Sequence, residues 1–410
     1  MSVSSISPID IRAVDKSAAW RAPAQPPPLS LYVHFPWCVR KCPYCDFNSH
    51  QQSETESEAS QLRSRYLQAL REDLESALPT VWGRTVRSVF MGGGTPSLMT
   101  GEQVDELLCD IRALLPLEPD CEITLEANPG TMEAQRFRDF RQAGVNRLSL
   151  GIQSFDDDKL KQLGRIHDAR QALRAAEQAK REFERFNLDL MWALPGQSVE
   201  QAQNDIRRAL EFAPPHLSLY QLTIEANTVF AKFPPQLPDE ELAFEMQQRL
   251  ELLADGAGYR HYEVSAYAQP GHACVHNLNY WTFGDYLGIG AGAHTKLTLA
   301  DRVIRQERFS RPESYLSHTA ERRFVSRDYA VPVGELPFEF MLNALRLTEG
   351  VPATLFAERS GLPLSAISRV LSRAEARGLL EPDPTRIRAT PLGLRFLNDV
   401  QSLFLAQSRG

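Results

Sequence analysis

Three cysteines crowd into one octapeptide, Cys38-Val39-Arg40-Lys41-Cys42-Pro43-Tyr44-Cys45, a C-x3-C-x2-C triad that follows a short apolar run. Three thiolates can hold three irons of a [4Fe–4S] cluster and leave the fourth without a protein ligand, whereas a cluster used only for electron transfer normally has four cysteines. An open iron can bind substrate. The alternative is zinc, which wants a fourth Cys or His at finger-like spacing, and only His50 follows closely. Lys41 reads as solvated. Cys109, Cys121 and Cys274 stand alone and read as small buried hydrophobes. Six cysteines in 410 residues are too few for a disulfide scaffold, and their clustering indicates a reducing compartment and a metal.

Further chemistry lies downstream. Gly92-Gly93-Gly94-Thr95-Pro96 removes three Cβ atoms from a strand-to-loop turn, so the backbone can approach a ligand closely; a flexible turn is the plainer reading. Glu126, in Glu126-Ala127-Asn128-Pro129, is an isolated carboxylate in an apolar run and needs a partner: a ribose hydroxyl, an ammonium, or an arginine in an ordinary ion pair. Gln153 in Gly151-Ile152-Gln153-Ser154, Arg165 in Gly164-Arg165-Ile166-His167 and Asp189 in Asn187-Leu188-Asp189-Leu190-Met191 hold comparable positions at later strands. His276 sits in an aromatic, Gly-rich segment, Cys274 to Lys296, which also fits a core turn with one hydrogen-bonded histidine.

These residues need elements to position them. Apolar or β-branched runs at Leu29 to Phe35, Val86 to Met91, Glu122 to Glu126, Arg147 to Ile152, Asn187 to Trp192 and His216 to Leu222 are bounded by Gly, Pro or polar residues and read as strands. Helical spacing fills the gaps at Glu56 to Leu78, Gly101 to Leu115, Thr131 to Ala143, Asp168 to Glu184 and Val199 to Phe212, with another helix at Asp239 to Gly256. Six strand–helix units imply a parallel sheet. Six are two short of a closed eightfold barrel, so the expectation is an α/β fold with a partial (β/α)6 barrel, or an open doubly wound sheet, and in both ligands sit at the carboxyl ends of the strands.

The rest divides as a Pro-rich flexible leader over 1–28, the barrel over 29–258, a linking segment over 259–330 and a C-terminal module over 331–410. In the linking segment Tyr259 to Tyr267 alternates as a strand would. The C-terminal module has helical stretches at Pro337 to Leu347, Ala353 to Ser360 and Leu364 to Arg377, a strand at Arg386 to Thr390 and a helix at Pro391 to Leu405, an order that is winged-helix-like. DNA binding does not follow. Residues 331–406 balance 8 Arg and no Lys against 8 Asp plus Glu, and the whole chain carries −7, so no basic face for nucleic acid is expected. No apolar stretch reaches the ~20 residues of a spanning helix and the N-terminus lacks a signal-peptide core, which reads as cytoplasmic.

The triad after the first strand of a βα repeat resembles the radical S-adenosylmethionine (SAM) superfamily. The resemblance implies that SAM chelates the unique iron through its amino and carboxylate groups, and that an electron donor reduces the cluster to cleave it to methionine and a 5′-deoxyadenosyl radical. Tyr32-Val33-His34-Phe35-Pro36-Trp37, GGGTP, EANP, GIQS, GRIH, LDLMWALPGQ and HNLNYW narrow the likeness, over about 29–400, to the coproporphyrinogen dehydrogenase (HemN-like) group. That likeness implies contacts to the cluster-bound SAM from Tyr32, Tyr44, Gly93 and Glu126. Gly94, Thr95, Gln153, Arg165 and Asp189 match residues around a second SAM.

One departure bears on function. The dehydrogenases carry a further cysteine two residues past the triad, where this chain has Asp46-Phe47. Cys45-Asp46-Phe47-Asn48-Ser49-His50 and His276-Asn277-Leu278-Asn279-Tyr280-Trp281 resemble instead the HemW-type haem chaperones, which pass haem to acceptor proteins. The expectation is a haem carrier with cluster and SAM, and the enzymatic alternative is oxygen-independent coproporphyrinogen III dehydrogenation. Haem iron accepts neutral imidazole, which makes His276 the first candidate ligand, ahead of His261, His272, His294 and the Cys274 thiolate.

Overall fold

The computed structural model describes residues 20–52, 55–129 and 133–405. Six parallel strands are β1 (Leu29–Phe35), β2 (Val86–Gly93), β3 (Leu117–Ala127), β4 (Arg147–Gln153), β5 (Arg185–Trp192) and β6 (His216–Gln221). The outward positions, such as Leu148, Leu150 and Ile152 of β4, are apolar and fully buried beneath the helices. On the outside lie α1 (Glu56–Ala77), α2 (Gly101–Leu114), α3 (Glu133–Ala143), α4 (Ala169–Glu182), α5 (Val199–Glu211) and α6 (Glu240–Gly256). Capping boxes Thr55/Glu58, Thr100/Gln103, Asp168/Gln171 and Ser198/Gln201 start four of them. Helix α4 turns Ala172, Ala175, Ala176 and Ala179 inward, a small-residue face that lets it lie close to the sheet. Of the lone cysteines, Cys121 and Cys274 are buried as expected, but Cys109 is exposed, because α2 buries Val104, Leu107, Leu108 and Ile111 and leaves position 109 off that face.

The linking segment extends the sheet at both edges. Arg260–Glu263 (β7) and Ala266–Ala268 (β8) form a hairpin antiparallel to β6, so the single strand expected over 259–267 is split by a turn at Val264-Ser265. After the short helix α7 (Val275–Trp281), β9 (Asp285–Ile289) joins β1 in parallel, a seventh parallel strand beyond the six expected. Strands β10 (His294–Thr298), β11 (Val303–Arg308) and β12 (Val325–Ala330) follow antiparallel. The sheet has twelve strands in the order β12-β11-β10-β9-β1-β2-β3-β4-β5-β6-β8-β7, and it stays open. The fold is therefore the open, partial α/β barrel expected.

A buried hub ties this extension to the barrel. The Asp73 carboxylate of α1 accepts from Arg308 Nη2 (3.2 Å), Tyr315 OH (2.8 Å) and Gly290 N–H (3.0 Å). The C-terminal module has its own core, with α8 (Leu336–Ala344), α9 (Thr354–Ser360), α10 (Ser368–Ala376) and the antiparallel pair Val351–Pro352 and Arg386–Ile387. Its final helix is broken at Phe396 into Pro391–Arg395 and Leu397–Ser402. Leu278 and Trp281 of α7 pack on that core, so α7 is wedged between barrel and module. Residues 1–19 of the expected leader lie outside the described residues. Trp20 packs on the module and donates Nε1–H to Ser360 O (2.9 Å). No described helix is long and apolar enough to cross a membrane.

Candidate functional site

A cavity of about 720 Å³ fills the barrel and opens at the carboxyl ends of the strands. Tyr32, Tyr44, the three clustered cysteines, Gly93, Gly94, Thr95, Glu126, Gln153, Arg165, Asp189 and His276 all line it. Period-two alternation places them: on β4, Arg147, Ser149, Gly151 and Gln153 point inward, and on β5 Asn187, Asp189 and Met191 do.

The three thiols sit at the mouth, half-buried and unbridged. Polar side chains lie beside each: Thr95 Oγ1 3.5 Å from Cys38 Sγ, Arg165 Nη1 3.6 Å from Cys42 Sγ and Ser49 Oγ 3.6 Å from Cys45 Sγ. Such donors favour thiolates, against the burial that raises the Cys38 thiol. Lys41 is exposed and donates to Phe47 O (3.0 Å). Asn48 bolts the loop down, donating from Nδ2 to Ala291 O and Ser310 O, both at 2.9 Å, while its own carbonyl accepts from His34 Nε2 (2.8 Å). With Nε2 donating, His34 Nδ1 accepts from Tyr32 OH (3.0 Å), and burial lowers its pKa to about 4, so the ring is neutral.

The glycine turn is packed rather than flexible. Gly93 has φ 110°, and a Cβ there would lie 2.4 Å from the His34 ring; one on Gly94 would lie 2.5 Å from Trp37 O. Gly94 N–H and Thr95 N–H bond back to Phe35 O and Trp37 O, which locks the turn to the cysteine loop. Gly93 N–H donates to Glu126 Oε2 (3.1 Å). Burial, reinforced by the Asp189 charge, raises the Glu126 carboxyl to about 8. Asp189 accepts from Asn187 Nδ2 (2.7 Å) and Ser149 Oγ (3.1 Å). Arg165 Nη2 reaches Asn128 Oδ1 and Gly151 O. Gln153 is held at φ 67°, a costly conformation for a non-glycine residue, where the register between β4 and β5 shifts. Tyr44 lies beside Arg165 and faces Phe230.

His276 is 2% exposed, stacked on Phe90 (4.8 Å) and edge-on to Tyr280 (4.9 Å). Ser88 Oγ holds Nδ1 at 3.0 Å, whereas Nε2 is buried without a partner. Burial lowers its pKa to about 3, so the imidazole is neutral with one nitrogen uncommitted. The other candidates lie off the cavity wall: His261 stacks on Tyr267, His294 is exposed, and Cys274 is buried with Sγ 3.5 Å from Glu122 Oε1. His272 is likewise absent from the wall.

Sequence reasoning missed the polar residues deeper in the barrel. Arg147, Ser149, Asn187, His216 and Ser218 line the same cavity, and His216 bridges Asn187 Oδ1 (2.7 Å) and Tyr262 OH (2.8 Å). The available signal was a polar residue at alternate positions of otherwise apolar strands.

The radical SAM superfamily model matches residues 32–209 and the HemN C-terminal domain model residues 332–396. The chain is 48% identical over 383 residues to Heme chaperone HemW of Escherichia coli (strain K12), covering 93% of this chain and 99% of that protein. It is 34% identical to Heme chaperone HemW of Bacillus subtilis (strain 168), over 92% and 99%. Among solved structures, Coproporphyrinogen III oxidase (HemN) from Escherichia coli superposes with TM-score 0.77 at 22% identity, over 92% of this chain and 90% of that one, a likeness of fold. The chain belongs to the HemW family of the radical SAM superfamily.

Proposed function

We propose that this protein is a haem chaperone of the HemW type: it binds haem and hands it to an acceptor protein, using a [4Fe–4S] cluster on Cys38, Cys42 and Cys45 with SAM on the open iron. The observation that carries the reading is one cavity that joins three thiols at its mouth to a buried neutral imidazole with a free Nε2. The full-length likeness to Heme chaperone HemW supports it.

When bound, such a cluster offers one open iron to the amino and carboxylate groups of SAM and a one-electron redox centre for its cleavage. The chain's own residues do the rest. The Asn48 and His34 bonds hold the cysteine loop against the glycine turn, so thiols, Tyr32 and Glu126 keep fixed positions. Tyr32, Tyr44, Gly93 and Glu126 would hold the cluster-bound SAM, and Gly94, Thr95, Gln153, Arg165 and Asp189 would hold a second. His276 Nε2 would offer the haem iron a neutral nitrogen, with Phe90 and Tyr280 fixing the ring. An electron donor for the cluster and a haem-acceptor protein complete the partners, in the cytoplasm. The divisions at 29–258, 259–330 and 331–410 separate the cluster barrel, the strand extension with α7, and a cover over the haem side.

Coproporphyrinogen III dehydrogenation is the second reading, favoured by the HemN-like fold. Against it, Phe47 stands on the cavity wall, 60% exposed, where the dehydrogenases have their further cysteine. Anaerobic incubation of the reconstituted protein with SAM, reductant and either haem or coproporphyrinogen separates the two. Stoichiometric haem binding without porphyrin turnover is the expected result; sustained protoporphyrinogen formation would overturn the chaperone reading.

A further inference from the structure

We propose that the deep end of the cavity is a carboxylate-binding subsite, centred on the Arg147 guanidinium, which takes a propionate of the porphyrin cargo, with the Trp281 indole N–H as a further unpaired donor on the same wall. This rests on the haem reading above and deepens it.

Arg147 opens β4, and the register pairs Thr124 with Arg147 and Glu126 with Ser149. It therefore lies one inward-facing position, about 7 Å, deeper than Glu126. Its side chain is 3% exposed, yet it lines the cavity. Among the described residues the guanidinium has no hydrogen bond, and its one ion pair is loose, Nε to Glu122 Oε2 at 3.9 Å. Glu122 is already engaged. Arg185 Nη2 holds the same Oε2 at 3.0 Å, while His276 N–H (3.2 Å) and Cys274 Sγ (3.5 Å) approach Oε1.

Two guanidinium groups thus share one carboxylate, and Arg185 holds it the more closely, which leaves buried Arg147 without a hydrogen-bonded counter-ion where such a partner matters most. Asp189 and Glu126 attract Arg147 only from beyond ion-pair distance. Asp189 is held by Asn187 and Ser149, and Glu126 by Gly93 N–H, with no ion pair from either to Arg147 among the described residues. Nor is Arg147 duplicated: Arg165 is committed to Cys42, Asn128 and Gly151, and Arg40 is at the exposed rim.

A second, independent feature points the same way. Trp281 Nε1 is a buried donor without a partner on the same cavity wall, and Arg346 covers the indole ring at 4.3 Å. A planar guanidinium and an N–H are the donors that a carboxylate accepts best. Glu122 links the subsite to the axial nitrogen, because Arg147 touches its Oε2 and the His276 backbone its Oε1. His276 and Arg147 are thus neighbours in one cavity, where a porphyrin held by His276 would meet the guanidinium.

The test titrates cluster-loaded protein anaerobically with haem and with haem dimethyl ester, with and without SAM, reading the Soret band. A charge-assisted pair implies that haem binds wild type about ten- to a hundredfold more tightly than the ester. Arg147→Gln is expected to weaken haem to the level of the ester and leave the ester unchanged, with iron content as the check on folding. Equal affinity of haem and ester for wild type overturns the proposal without any variant. So does a haem preference that survives in Arg147→Gln, or one that vanishes when SAM is added, since SAM's own carboxylate would then occupy the subsite. Failure of both porphyrins to bind removes the cargo reading, and this subsite with it.

Discussion

Glu126 should make SAM binding proton-linked. Its carboxyl is raised to about 8 by burial first and by the Asp189 charge second, against the pull of Gly93 N–H and Arg147. At neutral pH the empty site is therefore mostly protonated, and a cationic ligand that needs the carboxylate must displace the proton. The cost is about 1.4 kcal/mol for each pH unit below 8, so affinity should fall about tenfold between pH 9 and pH 7 from this group alone. SAM's amino group titrates in the same range, so the measurement is the difference between wild type and Glu126→Gln. Calorimetry of SAM binding to cluster-loaded protein, in buffers of different ionisation enthalpy, should show release of up to one proton that the variant does not release. An identical pH profile and proton count in both proteins would refute the argument. The same burial acts on the ligand-free fold. Because the folded pKa is raised, stability is lost as pH climbs from the ordinary carboxyl range toward 8, by on the order of a few kcal/mol, and Glu126→Gln should abolish that loss.

Other outcomes follow from single side chains. Cys38→Ala, Cys42→Ala or Cys45→Ala should each reduce reconstituted iron and sulfide from about four each to background, while thermal unfolding of the unloaded protein changes little. Asp73→Ala removes the partner of buried Arg308 and should cost about 3–5 kcal/mol in denaturant unfolding; a loss under 1 kcal/mol would contradict the hub. His276→Ala should shift the Soret maximum and weaken haem binding with iron content unchanged, and an unaltered spectrum would remove His276 as ligand. Gln153→Gly should relieve the φ 67° conformation and raise stability by roughly 1 kcal/mol, with SAM binding impaired by loss of the amide.

The barrel was legible because its strands are bounded by turn residues and its helices begin with capping boxes such as Thr55/Glu58 and Ser198/Gln201, which are local signals. The seventh parallel strand was not. Asp285–Ile289 is five residues long beside a Gly-rich turn, and its parallel pairing is with β1, far away in the chain, which no local signal reveals. Alternation through Tyr259 to Tyr267 fits one strand or a hairpin equally, and the turn at Val264-Ser265 has no glycine to mark it. Within the site, the cysteine spacing, the glycine turn and Glu126 were visible as unusual local composition. Arg147 and His216 were hidden because each is one polar residue in an apolar strand, and its meaning depends on which face the sheet turns inward. The glycines' role was half visible: Gly93 and Gly94 are required by the His34 ring and by Trp37 O, whatever ligand approaches from the other side.

The central claim is a cluster held at three corners, with the fourth open toward the cavity. Mössbauer spectroscopy of anaerobically reconstituted, 57Fe-labelled protein, with and without SAM, tests it most directly. One iron in four should change its isomer shift and quadrupole splitting when SAM is added, and the other three should not. Four irons that all ignore SAM, or a colourless protein holding one zinc on the three thiols, would contradict the account.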